Sequence, residues 1–150
     1  MSEDQFASEV RSYVRDFPEL NRLITGEETS NRMIKYCIWL ALDEWNVTPP
    51  LSGNSISDFP SRLILLQLVL VHLLTSVGIL KSRNRMNYND GGFTVEPESQ
   101  DDRYFRWIQL IRSQVEPKIS RLKLALNIAG GWDAGVSSEY GWLHGWYGLT

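Results

Sequence analysis

Apolar positions recur at intervals of three and four along most of this 150-residue chain, the period of helices with one buried face. Ile34, Cys37, Ile38, Ala41, Leu42 and Trp45 form one such face. Tyr104, Ile108, Ile111, Val115, Ile119, Leu122 and Leu126 form a longer one. The longer phase passes straight through Pro117, which predicts one kinked helix rather than two, bent near Ser113, whose carbonyl loses its donor. A shorter face, Phe6, Val10, Tyr13 and Val14, opens the chain.

Capping residues punctuate these stretches. Ser2 and Gln5 have capping-box spacing and predict a helix from Glu3 to about Arg15. Asp16-Phe17-Pro18 is a fresh start signal, predicting a short helix to Thr25 with Gly26 as its stop. Thr29 or Ser30 caps the next helix, which runs to about Trp45 and is ended by Pro49-Pro50. After the polar loop LSGNSIS, Asp58-Phe59-Pro60 repeats the start signal. No further similarity surrounds the two copies, so they share capping chemistry and are not an internal repeat. Ser99 or Asp101 starts the last helix, and Gly130-Gly131 is expected to end it after Ala129.

Leu63 to Leu80 carries no charge over 18 residues, borderline for a membrane span. At 100° per residue, Leu63, Leu66, Val69, Leu70, Leu73, Leu74, Val77 and Leu80 make an apolar arc. Gln67, His72, Thr75, Ser76 and Gly78 fall opposite. Lipid has no use for that division, whereas the central helix of a soluble bundle does. Asn89-Asp90-Gly91-Gly92 between strand formers predicts a small hairpin over about 86–95. The expected fold class is therefore mainly α: a helical bundle around a central apolar helix (63–80), one short β-hairpin and an extended C-terminal arm. Residues 1–129 would be the bundle and residues 130–150 the arm.

Composition narrows the function. A net charge of −3 offers no global positive field for nucleic acid. The lone Cys37 rules out an internal disulfide and reads as a buried hydrophobe. The acidic start MSEDQF lacks an apolar core, so no secretory signal is expected and the free chain is placed in the cytosol. Two histidines, His72 and His144, with one cysteine do not complete a common zinc ligand set. No nucleophile elbow, phosphate-binding loop or dinucleotide fingerprint occurs, and Asn87 to Glu98 departs from calcium-loop spacing. The expectation is no enzyme, no metal and no cofactor.

Two binding features remain. Arg103, Arg106, Arg112, Lys118, Arg121 and Lys123 all lie on the last helix, as a solvated face or as a surface for an acidic partner or passing DNA. The stretch GGWDAGVSSEYGWLHGWYGLT holds six glycines, three tryptophans and two tyrosines. Such a segment either folds back on its own bundle or orders on a partner. Six glycines are costly in a self-packed segment, and glycine hinges between aromatic anchors suit partner docking. The candidate anchors are Trp132, Tyr140, Trp142, Leu143, Trp146, Tyr147 and Leu149.

The assembled pattern resembles the small all-helical connector, or adaptor, proteins of the tailed-bacteriophage head–tail neck. The residues that carry the resemblance are the run from LITGEETSNRMI to LALDEWNVTPP, the helix DFPSRLILLQLVLVHLL, RNRMNYNDGGFTV, the helix ending KLALNIAGG and the aromatic tail. It implies a structural virion protein in a dodecameric ring that contacts the portal protein through its C-terminal arm. It also implies contact with the next neck or tail protein, DNA passing without sequence specificity, and no membrane. The location implied is the virion neck, reached from the host cytoplasm. The competing expectation is a small membrane-associated helical protein with residues 63–80 in the bilayer and the tryptophan-rich tail at the interface.

Overall fold

Helix α1 (Glu3–Val14) starts on the capping box, Ser2 Oγ accepting from the Gln5 N–H at 3.3 Å and Gln5 Oε1 from the Ser2 N–H at 3.0 Å. The structure is a computed structural model describing residues 1–21, 26–83, 89–90, 93–94 and 100–134, with side chains over 1–21, 26–83 and 103–131. Helix α1 is followed by α2 (Asn31–Val47), α3 (Arg62–Arg83) and α4 (Gln100–Ala134). The fold is mainly α. Asn89–Asp90 (β1) and Phe93–Thr94 (β2) pair antiparallel, in register Asn89 with Thr94. The remainder of the span expected to form a hairpin, 86–88, 91–92 and 95, lies outside the described residues.

Side-chain pairs set the helix directions. Met33 meets Ser76 and Glu44 meets His72, so α2 runs antiparallel to α3. Gly78 faces Tyr104 and Gln67 meets Lys118, so α4 is antiparallel to α3 as well. Helix α1 packs on α2 and α3. The core joins Phe6 and Val10 of α1, Ile34, Cys37, Ile38, Ala41 and Trp45 of α2, Leu65, Leu68 and Val69 of α3, and Val115 and Ile119 of α4. Each large apolar side chain removed from water contributes about 2 kcal/mol, which makes this cluster the main source of stability.

Several boundaries differ from the sequence expectation. The buried residues of α3 are Ile64, Leu65, Leu68, Val69, Leu70, Val71 and Leu73, while Leu63 and Leu80 at the ends of the expected arc are exposed. Three other helices pack on α3, so its first half is covered on nearly every side and a one-face arc does not describe it. The segment after α1 is a single turn, Leu20 and Asn21 N–H reaching back to the Phe17 carbonyl, and residues 22–25 are outside the described set. Helix α4 does not stop at Gly130-Gly131 but runs through them to Ala134, so the boundary expected at residue 130 falls inside a helix. Glycine weakens a helix by about 1 kcal/mol without forbidding it, and here propagation from a 35-residue helix prevails.

Candidate interaction surface

Three polar clusters tie the helices together, and each uses residues the sequence leaves ambiguous. In the first, Asp16 caps no helix. Its carboxylate accepts from the backbone N–H of Glu28 at 2.7 Å and of Thr29 at 2.8 Å, and from Asn21 Nδ2 at 2.8 Å. Arg11, buried on α1, bridges Asp16 at 3.1 Å and donates to the Thr29 carbonyl and Asn31 Oδ1, each at 2.8 Å. Burial alone would raise the Asp16 pKa, but these donors and the Arg11 charge together hold the carboxyl below its usual range.

In the second, Glu44 on α2 sits between α3 and α4. Arg112 NH1 donates to its Oε1 at 2.9 Å, and His72 Nε2 lies 2.8 Å from its Oε2, although off the line of the ring N–H. His72, with Arg112, keeps the Glu44 carboxyl below its ordinary pKa against the opposing effect of burial. In the third, Lys123 on α4 is only 2% exposed. Its ammonium donates to the Thr48 carbonyl, to the Pro50 carbonyl at 3.0 Å and to Ser52 Oγ at 3.3 Å. Desolvation draws the Lys123 pKa below the usual lysine value.

Arg11, Asp16 and Lys123 spend their polar atoms on backbone groups of loops, which fixes chain path. Glu44 and His72 form an acid–base pair, but the hydroxyls near it on α3 are committed: Thr75 donates to the Val71 carbonyl at 2.7 Å and Ser76 to Met33 Sδ at 3.6 Å. Among the described residues no cluster of three or more His, Cys, Asp or Glu is placed to hold a metal ion. Cys37 is buried and burial pushes its thiol up to about 11. Two clefts flank Tyr104, one of about 190 Å³ beside Asp16 and Glu28 and one of about 260 Å³ lined by Leu74, Gly78, Ile79 and Phe105. The first has its carboxylate already committed to the loop, and the second is apolar and open.

The outer faces of α2 and α4 are different. On α2, Tyr36 and Trp39 stand in solvent, Trp39 64% exposed, and the same stripe carries Arg32, Asp43 and Val47. On α4, Trp107 is 58% exposed, with Leu110, Leu124 and Ile128 also exposed. At 100° per residue these α4 positions, with Arg106 and Arg121, share one sector opposite the buried Val115 and Ile119. Helix α4 is thus apolar on both sides, the inner one filled by α3 and the outer one mixed with arginine.

The six basic residues expected as one set divide. Lys123 and Arg112 are turned inward and committed to Thr48, Pro50 and Glu44, and Lys118 reaches Gln67 at 3.4 Å. Arg103, Arg106 and Arg121 are exposed. Of the anchors expected in the tail, Trp132 lies within the α4 backbone. Tyr140, Trp142, Leu143, Trp146, Tyr147 and Leu149 lie outside the described residues. Sequence reading passed over Tyr36 and Trp39, whose signal is that they fall off the Ile34–Trp45 apolar face. No family model matches this chain, and no curated protein or solved structure is found to be similar to it.

Proposed function

We propose that this chain is a non-enzymatic assembly protein: a structural component of a tailed-phage neck that forms a ring with its own copies and docks on the portal through its C-terminal arm. The reading includes the short hairpin over about 86–95 and an arm that α4 carries away from the bundle. The observation that carries it is the outer face of α4, where Trp107, Leu110, Leu124 and Ile128 stand exposed on the helix that leads into the aromatic tail. A monomer that lived alone would gain nothing from such a face, and contiguous exposed apolar surface marks interaction sites. Trp132, Tyr140, Trp142, Leu143, Trp146, Tyr147 and Leu149 are the residues assigned to the portal contact, and multivalency around a ring would make that joint long-lived.

The rival reading draws on α3, which is long and apolar enough to cross a membrane, with a mean hydropathy of 2.4. Its contacts support the bundle instead: Gln67 meets Lys118 of α4 and His72 meets Glu44 of α2, polar partners with no place in lipid. Expression without detergent separates the two, since a monodisperse product supports the bundle and a product recovered only from membranes sinks it.

The tail is tested by ending the chain after Ala134, the last residue of α4. The truncated protein is expected to keep its helical circular dichroism and to lose binding to the portal partner. Unfolding on truncation would make the tail part of the core, and retained binding would move the contact elsewhere.

A further inference from the structure

Helix α4 outruns the bundle it packs on. Gly78 opposite Tyr104 and Gln67 opposite Lys118 fix the antiparallel register of α3 and α4. That register brings Arg62, where α3 begins, level with the turn of α4 that ends at Lys123. Lys123, held by the 48–52 loop, is buried, and every residue from Leu124 to Gly131 is exposed. The helix nevertheless continues to Ala134. At 1.5 Å per residue the overhang beyond Lys123 is about 16 Å long. Its sequence, LALNIAGGWDA, carries no charge before Asp133. At 100° per residue Leu124, Ala125, Ile128 and Ala129 share one sector, with Leu124 58% and Ile128 50% exposed. A helix end with a glycine pair and no ion pairs along its surface draws its stability from a covered apolar face.

We infer that in the free chain its own residues 135–150 cover this sector, folding back from Ala134 so that Tyr140, Trp142 and Trp146 seat on Leu124, Ala125, Ile128 and Ala129. Three observations select this occupant. The segment is attached at the tip of the overhang, and a short tether holds it there at an effective concentration on the order of millimolar. Its chemistry matches: residues 135–150 hold no Lys or Arg and one acidic side chain, Glu139, so an uncharged helix face meets an almost uncharged aromatic segment. Its length suffices, because extended chain advances about 3.3 Å per residue and about five residues retrace the overhang. Gly135 to Glu139 leave room for the reversal before Tyr140. Gly141, Gly145 and Gly148 between the rings add an ordering cost that keeps the seat weak and reversible. This contact goes beyond the neck reading and does not depend on the identity of any partner. Within that reading it is an autoinhibitory cover, since docking exchanges one apolar surface for another and leaves the rings guarded until then.

The test uses the full chain with Trp39→Phe and Trp107→Phe, which removes the two exposed indoles of the bundle and leaves buried Trp45 with Trp132, Trp142 and Trp146. Iodide quenching of its fluorescence in dilute solution is expected to be weaker than that of a synthetic peptide of residues 132–150. Adding Leu124→Gln and Ile128→Gln is expected to abolish that shielding. Both positions are exposed and glutamine is a good helix former, so unchanged circular dichroism verifies the fold. In the reciprocal variant, Trp142→Ser with Trp146→Ser at full length, the amides of residues 124–131 are expected to lose protection from hydrogen exchange. Indoles as accessible in the full chain as in the peptide overturn the inference, and so does shielding that survives Leu124→Gln and Ile128→Gln. Shielding that grows with protein concentration assigns the cover to a second copy and overturns it too. Portal binding is scored separately: intact shielding without portal binding would sink the neck reading and leave this contact standing.

Discussion

Lys123 Nζ lies 4.8 Å from the centroid of the Trp45 ring, and beneath this contact the ammonium donates to the carbonyls of Thr48 and Pro50. One α4 side chain thereby closes the loop that ends α2. Trp45 is held in turn by Asn54, which accepts from its Nε1 at 2.9 Å, and by the Phe59 ring 4.8 Å away. Lys123→Met keeps the stem and removes every donor. It is expected to destabilise the protein by about 2–3 kcal/mol, because two carbonyls lose a charged donor. Urea unfolding gives the size, and amide exchange is expected to quicken first at Ser52 and Asn54, whose N–H groups tie the loop to Asn46 in the last turn of α2. No change at those amides would mean that the lysine is not what holds the loop.

Asp16 should set the acid limit of stability. Its folded pKa is below the ordinary value of 3.8. The unfolded state therefore binds the proton more readily, and stability falls as pH drops through that range. Above about pH 5 the contribution is fully present. Asp16→Asn is expected to lower stability at neutral pH, on the order of 2–3 kcal/mol as Arg11 loses a buried counter-charge. It should also flatten the profile of stability against pH below about 4 relative to wild type. Parallel profiles for the two proteins would remove Asp16 from the acid transition.

Gly78 faces Tyr104 across the α3–α4 contact, and an added Cβ would lie 3.5 Å from the Tyr104 Cβ, an ordinary contact. Gly78→Ala is expected to raise stability by about 0.5–1 kcal/mol by stiffening α3. A larger, branched side chain at that point meets Tyr104, so Gly78→Val is expected to lower stability by about 1–3 kcal/mol. Thermal melts of the two variants should shift in opposite directions. If Gly78→Ala were destabilising, the helices would lie closer than described.

Cys37 is buried at 1% exposure and its thiol is pushed up to about 11. Thiol reagents should leave it unmodified in the native protein at neutral pH and label it fully in denaturant. Labelling at the rate of a free thiol would mean that α2 opens locally.

How far the sequence could be read depends on the kind of signal. The four long helices were visible from the 3–4 spacing of Phe6–Val10, Ile34–Trp45, Leu63–Leu80 and Tyr104–Leu126, because that period follows from local geometry. Ser2 was legible as a cap, and Ser30 as one of two candidates with Thr29, for the same reason: capping acts within three residues, as the Met33 N–H to Ser30 Oγ bond does. Gly130-Gly131 was misread as a stop because a glycine pair only weakens a helix, and the helix carries on to Ala134. Asp16 was misread as a cap because its real partners, the N–H groups of Glu28 and Thr29, come from beyond the next turn.

The sequence alone therefore determined the helical composition of the protein, the capping box at Ser2 and the apolar faces that must be covered, since each depends on neighbours within a turn or two. Tertiary structure alone decided which of those faces stay uncovered. It turned Lys123 inward to the 48–52 loop and left Arg106, Arg121, Trp107 and Trp39 outside. Such choices rest on contacts between residues up to 75 positions apart, such as Lys123 with Thr48, and pattern along the chain holds no record of that distance.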